Sequence, residues 1–283
     1  MNLCDIAVIK SVLKRHGFNF SKGLGQNFLC DAEVPRQIAA RSGADKDTTV
    51  LEVGPGMGCL SRELCARAAF VAAVELDGRL APVLRETLAD CDNFALVQGD
   101  ILKTDIRELC GRYFGGRRAI ACANLPYYIT TPAITALIDS GCFSSVTVMV
   151  QKEVARRICA APDTADYGAF SLYIAYHAQA EIILEVPSTS FVPQPKVDSA
   201  VVRLDIRSQP PVDADRELLF RLIKAAFLQR RKTLVNCLRS YFPGTEREQW
   251  ERVLERCGLD VRVRGEALGL ESYAALAKTI DFL

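Results

Sequence analysis

The 283-residue sequence has almost no excess charge: 35 lysines and arginines stand against 34 aspartates and glutamates, a formal net of +1. Bulk electrostatics therefore singles out no polyanionic partner, although many nucleic-acid binders carry their charge locally. It also lacks a cysteine framework. The 11 cysteines are odd in number, scattered, and nowhere spaced C-x-x-C. That excludes a disulfide-stapled scaffold and a zinc knuckle, and implies a reducing cytoplasm. A secretory signal is not expected, because the apolar stretch Leu3 to Ile9 runs into Lys10, Lys14 and Arg15 with no small-residue cleavage site behind it. No membrane span is expected either. The uncharged window Ala119 to Leu137 contains Asn124, Pro126, Tyr127, Tyr128 and Pro132, which break and polarise a helix in lipid. It reads as a buried strand followed by a site loop. No internal repeat or low-complexity tract is visible.

What is present is a globular balance, 49% hydrophobic and 24% charged, with interior enough for one large domain and a small one. Short β-branched runs recur at Thr49 to Val53, Phe70 to Glu75, Phe94 to Gln98, Ala119 to Ala123, Val146 to Val150, Ile182 to Val186 and Ala200 to Leu204. Helix-like stretches such as Leu60 to Arg67 and Leu80 to Leu88 alternate with the early runs. Alternation of this kind predicts an α/β, Rossmann-like, doubly wound parallel sheet with its ligand site at the carboxyl ends of the strands. The last two runs have no long helix between them, which suggests a hairpin at one sheet edge. Around Ser208 to Pro211 the pattern turns helical, with Leu218, Leu219, Leu222, Ile223, Ala226 and Phe227 on one face. Helices follow near Lys232 to Tyr241, Arg247 to Arg256 and Ser272 to Ile280. The expected division is therefore residues 1–207 for the sheet domain and 208–283 for a small helical domain. The latter is mildly basic, with 13 Lys and Arg against 11 Asp and Glu.

Four strand ends carry chemistry. Val50 to Val53 runs into Gly54-Pro55-Gly56-Met57-Gly58, a glycine turn that lets a ligand approach the backbone; by itself it is equally a plain tight turn. The next strand ends in Glu75-Leu76-Asp77, about twenty residues on, where a carboxylate can accept both hydroxyls of a ribose. The third ends in Gly99-Asp100, placed to accept from the amine of an adenine ring, or else to cap the following helix. Together these three favour a nucleoside ligand. The fourth ends in Asn124-Leu125-Pro126-Tyr127. An adenine N6 is a poor nucleophile because its lone pair is delocalised, so a site gains by offering acceptors to both amine hydrogens. The Asn124 side-chain oxygen and the Leu125 carbonyl suit that task. Pro126 fixes φ and brings no competing N–H, and the Tyr127 ring offers a stacking face for an extruded base. The plain alternative is a strand-ending turn with Tyr127 as core cover.

At these residues the chain resembles the KsgA family of 16S ribosomal RNA adenine dimethyltransferases. The likeness runs from Gly23-Leu24-Gly25-Gln26-Asn27-Phe28-Leu29 through Leu51 to Gly56, Asn124 to Ile129 and Gln151 to Ala155. It continues into Phe191-Val192-Pro193-Gln194-Pro195-Lys196-Val197-Asp198-Ser199 and Phe227 to Leu234. The resemblance implies S-adenosylmethionine as methyl donor, leaving as S-adenosylhomocysteine, with no metal. It implies dimethylation of N6 on two adjacent adenines near the 3′ end of 16S RNA, in the small subunit or its precursor, by a cytoplasmic monomer with a part in subunit biogenesis. Donor contacts are implied for Asn27, Leu29, Gly54, Glu75, Asp100 and Asn124, and with them Gln26, Gly56 and Ile101. Phe191 is implied to flank the target base opposite Tyr127. Arg230, Arg231 and Lys232 are implied to meet RNA phosphates, although most charge runs are solvated faces.

Two other readings stay open on the residues alone. Macrolide-resistance methyltransferases of large-subunit RNA share the Asn-x-Pro-Tyr logic, but the late motifs argue against them. A nucleotide-dependent oxidoreductase uses the same sheet, but the G-x-G-x-x-G spacing is missing. A further role as a ribosome-assembly factor is compatible with either methyltransferase reading.

Overall fold

The structure, a computed structural model, describes residues 1–18 and 26–281. Gly23, Leu24 and Gly25 of the first motif lie outside the described residues. The strands are β1 (Phe28–Leu29), β2 (Thr48–Val53), β3 (Phe70–Glu75), β4 (Phe94–Gln98), β5 (Arg118–Asn124), β6 (Ser145–Gln151), β7 (Ala178–Val186), β8 (Phe191–Val192) and β9 (Ser199–Ile206). Seven form one sheet in the order β4-β3-β2-β5-β6-β9-β7, while β1 and β8 form a separate antiparallel pair. Strands β2 to β6 are parallel where they neighbour one another, and β9 returns antiparallel to β6.

Burial explains the order. Every residue of β2 is buried, as a strand covered on both faces must be, and β4 is only partly buried because it is an edge. From β2 the chain winds outward to β3 and β4, then crosses back to β5 on the other side. The carboxyl ends of β2 and β5 thus flank the topological switch point, where a doubly wound sheet opens a crevice.

The helices around this sheet are α1 (Ile6–Arg15), α2 (Glu33–Arg41), α3 (Cys59–Arg67), α4 (Ala81–Thr87), α5 (Ile106–Phe114), α6 (Thr130–Asp139) and α7 (Lys152–Ile158). The site loop expected after the buried strand is short. A single 3-10 turn, Tyr127–Ile129, leads straight into α6, because Pro132 falls in the first helical turn, where a missing N–H costs little. The expected edge hairpin is more elaborate. β9 and β7 are neighbours, but the segment between them supplies β8, which pairs with β1.

The chain divides into two compact units, Met1–Ala155 with Glu181–Ile206, and Arg156–Ala180 with Arg207–Leu283. A single boundary at residue 207 does not describe this division, since residues 156–180 go with the helices that follow. The second unit contains α8 (Ala169–His177), α9 (Arg216–Leu228), α10 (Leu234–Tyr241), α11 (Arg247–Arg256) and α12 (Leu270–Thr279). Tyr167, Leu172 and Tyr176 share its core with Leu219, Leu222, Trp250 and Tyr273. Two of its buried aromatic side chains find polar partners within it: Trp250 donates to Thr245 Oγ1 at 2.8 Å and Tyr273 to the Gly265 carbonyl at 2.9 Å.

Candidate active site

The residues expected to hold a methyl donor or a target base come together. Gln26, Asn27, Leu29, Gly54, Gly56, Glu75, Asp100, Ile101, Asn124, Leu125, Pro126, Tyr127 and Phe191 all line one cleft of about 250 Å³ at the carboxyl ends of β2 to β5. That is near the lower end of the range of small-molecule sites. Each strand end contributes differently.

After β2 the chain turns through Gly54 and Gly56 at φ +69° and +58°. At Gly56 a Cβ would also lie 3.1 Å from the Phe28 ring, so conformation and space both require glycine. β3 ends in Glu75, buried beneath this turn. Its Oε2 accepts from the Gly56 N–H at 3.3 Å and its Oε1 from the Asp77 N–H at 2.8 Å. Burial pushes the Glu75 carboxyl up, opposed by those two donors. Asp77 is held down at about 2, chiefly by Arg79. Gln26 donates to Asp77 at 2.9 Å, which ties the N-terminal motif to the end of β3. After β4, Asp100 Oδ1 accepts from the Leu102 N–H at 3.0 Å and so closes a short turn. The following helix, α5, is capped by Asp105 instead.

β5 delivers the acceptor loop. The Leu125 N–H donates to the Met149 carbonyl of β6 at 3.2 Å, and the Ile129 N–H to the Pro126 carbonyl at 3.1 Å. No protein donor among the described residues engages the Asn124 side chain or the Leu125 carbonyl. Two acceptors on residues that line the cleft thus remain unspent among the described residues. Tyr127 is half-buried beside them, its hydroxyl 2.8 Å from Ser199 Oγ. Phe191 comes from β8, buried, opposite Leu29 in the β1–β8 ladder.

Two residues of this neighbourhood escaped the sequence reading. Glu52 is 1% exposed, lines the cleft, and its Oε2 has no partner among the described residues. Burial pushes its carboxyl up to about 8, although the Ser61 hydroxyl, close to it but short of hydrogen-bond geometry, opposes the shift. A glutamate inside an apolar strand run was the available signal. Ser199 is fully buried at the start of β9, and only its distant partner gives it significance.

The basic run lies in the helical unit, between α9 and α10 rather than at a helix start. Arg230 pairs with Glu266 at 3.2 Å and donates to the Ala165 carbonyl at 3.3 Å. Arg231 and Lys232 are exposed, and among the described residues neither makes an ion pair.

This strand order, with a glycine turn, two strand-end carboxylates and an acceptor-bearing loop around one cleft, defines an α/β methyltransferase. The model of the ribosomal RNA adenine dimethylase family matches residues 17–277, and the chain belongs to that family. It is an enzyme that dimethylates adenine in ribosomal RNA. Ribosomal RNA small subunit methyltransferase A of Geobacillus thermodenitrificans (strain NG80-2) is 44% identical over 276 residues, which covers 96% of this chain and 94% of that protein. Its namesake from Streptococcus pneumoniae (strain P1031) is 45% identical over 285 residues, 99% of this chain and 98% of that one. Among solved structures, the 23S rRNA methyltransferase ErmE aligns with a TM-score of 0.70 at 28% identity, covering 89% of this chain and 99% of its own. A dimethyladenosine transferase from Plasmodium falciparum shares the fold, with a TM-score of 0.75 at 23% identity over 88% of this chain and 95% of its own.

Proposed function

We propose that this chain uses S-adenosylmethionine to dimethylate N6 of two adjacent adenines near the 3′ end of 16S RNA, in the small ribosomal subunit or its precursor, as a step in that subunit's biogenesis. The observation that carries the reading is the pair of unspent acceptors, Asn124 Oδ1 and the Leu125 carbonyl, beside the Tyr127 ring. Small-subunit RNA is favoured over 23S RNA because relatives named for the small subunit match at 44–45% identity and ErmE at 28%.

The donor site fits a nucleoside with a charged tail. Glu75 keeps lone pairs on both carboxylate oxygens after accepting one N–H on each, enough for two ribose hydroxyls. Asp100 and the Ile101 backbone border the space for the adenine ring, and Gly54 and Gly56 let the ligand approach the chain. When bound, S-adenosylmethionine supplies a methyl group on a cationic sulfur. The chain's own residues then act by alignment. Asn124 and Leu125 take the two hydrogens of the target amine, which draws electron density back to nitrogen and aims its lone pair into the cleft. Tyr127 and Phe191 hold the extruded base by its faces. Fixing two reactants in line is itself a large part of such a barrier. No strong base is required, since the proton lost after attack can pass to solvent.

The test is methyl transfer from the labelled donor to purified small subunits lacking the modification, with the product mapped by nuclease digestion. Dimethyladenosine at two neighbouring positions near the 3′ end is expected. Purified large subunits are assayed in parallel, and label in their RNA with none in the small subunits would refute the substrate assignment.

A further inference from the structure

We propose that Ser199 is a positioning residue for the methyl transfer, setting the plane of the Tyr127 ring on which the target base stacks. The inference rests on the stacking role proposed above for Tyr127. The two residues are 72 positions apart, and their oxygens meet at 2.8 Å.

A stacking ring works only if its plane is fixed, because attraction falls away as the faces tilt or slide. Tyr127 is ill placed to hold itself. It follows Pro126 in a one-turn 3-10 segment that lines the cleft, and its backbone carbonyl accepts from Thr130 Oγ1 at 3.2 Å. That anchors the near end of the residue. The far end is anchored by Ser199, whose hydroxyl is fully buried on β9, opposite Gln151 of β6. β9 is an inner strand of the sheet, between β6 and β7, so the serine is held on rigid scaffold. With backbone and phenol both tethered, swings of the side chain about its first torsion are held, and because a phenolic O–H lies in the plane of its ring the contact with Ser199 also favours one setting of that plane before the base arrives. The same sheet holds the adjoining acceptor, because the Leu125 N–H is bonded to Met149 of β6. Base-stacking face and hydrogen-bond acceptors are therefore referenced to neighbouring strands, β6 and β9.

A plainer role for Ser199 is a core hydroxyl that happens to satisfy a half-buried phenol. The roles separate in a double-mutant cycle on single-turnover methyl transfer to small subunits, using Ser199→Ala, Tyr127→Phe and the pair. Positioning predicts that either single change lowers the transfer rate about tenfold, the equivalent of one hydrogen bond. It further predicts that the double change is no slower than either single one, and that donor affinity stays unchanged by calorimetry. Rates that multiply, or a Ser199→Ala enzyme as fast as wild type, overturn it. Should Ser199→Ala misfold, Tyr127→Phe removes the same bond from the other side. A second readout does not depend on activity: with ring-labelled tyrosine, Ser199→Ala should raise the mobility that relaxation of the Tyr127 ring signals reports, and a ring as ordered as in wild type overturns the proposal. A Tyr127→Ala enzyme that transfers methyl at the wild-type rate, with the ring freed by Ser199→Ala as expected, would count against the stacking reading alone.

Discussion

The Glu75 carboxylate accepts a hydrogen bond from the Gly56 backbone N–H at 3.3 Å, so the second central strand braces the glycine turn that follows the first. This one contact joins two motifs nineteen residues apart and makes the loop's shape depend on the carboxylate.

Glu75→Ala should therefore weaken S-adenosylmethionine binding by about 1.5–3 kcal/mol, the range for hydrogen bonds to a charged group. Calorimetric titration of the folded variant measures this directly. Unchanged affinity would remove Glu75 from the donor site.

At Asn124 the expected loss is in turnover rather than in binding. Asn124→Ala should slow single-turnover transfer by about 10²-fold, the scale of a misplaced reactant, with RNA affinity nearly constant. Asn124→Asp keeps an acceptor and should retain part of the rate. If Asp is no better than Ala, acceptance from N6 is not what Asn124 provides.

For the basic loop the structure sharpens the expectation. Arg230 is engaged with Glu266, so Arg231 and Lys232 are the side chains expected to reach phosphate. Neutralising both should flatten the logarithmic salt dependence of RNA binding by about two units, roughly one per contact, and leave donor binding intact. A filter-binding series across salt concentrations decides between contact and solvated face.

Glu52 makes stability depend on pH. Its carboxyl is neutral in the folded protein up to about 8 but ionises near its ordinary 4.5 in the unfolded chain. The folded state thus binds the extra proton between those values, and stability falls as pH rises through that window. Glu75, also pushed up by burial, acts in the same direction. Glu52→Gln should flatten the decline and gain on the order of 3 kcal/mol at pH 8 relative to pH 4.5. Denaturant titrations at the two pH values measure it, and parallel curves for both proteins would place the ionisation elsewhere.

Much of this was legible in the chain itself. The seven strands of the main sheet fall on the β-branched runs, because a strand buried on both faces needs continuous apolar residues and the turns between need glycine, proline and asparagine. Glu75, Asp100 and Asn124, proposed here for the donor and the target amine, stood out because each sits at or just after a strand end, whereas Gln26, Asn27 and Phe191 were suggested by the family resemblance. What escaped depends on distance or on missing contrast. Ser199 acquires meaning only from a partner 72 residues away. The helix Ala169–His177 is apolar on every side, so it shows no periodic face to betray which core it joins. Glu52 reads as one acidic letter in an apolar strand until its burial is seen.

The helical unit is assembled from two stretches of chain, Arg156–Ala180 and Arg207–Leu283. No single cut liberates it. A truncation after residue 207 keeps Tyr167, Leu172 and Tyr176 while discarding Leu219, Trp250 and Tyr273, the side chains they pack against. The shortened protein would carry an uncovered aromatic cluster and would be prone to aggregate. A fragment beginning at residue 208 would lack one wall of its own interior. Studying either half alone therefore calls for excising residues 156–180 and splicing them to the C-terminal fragment, and ribosomal synthesis meets the same constraint, since this interior can close only after nearly the whole chain has emerged.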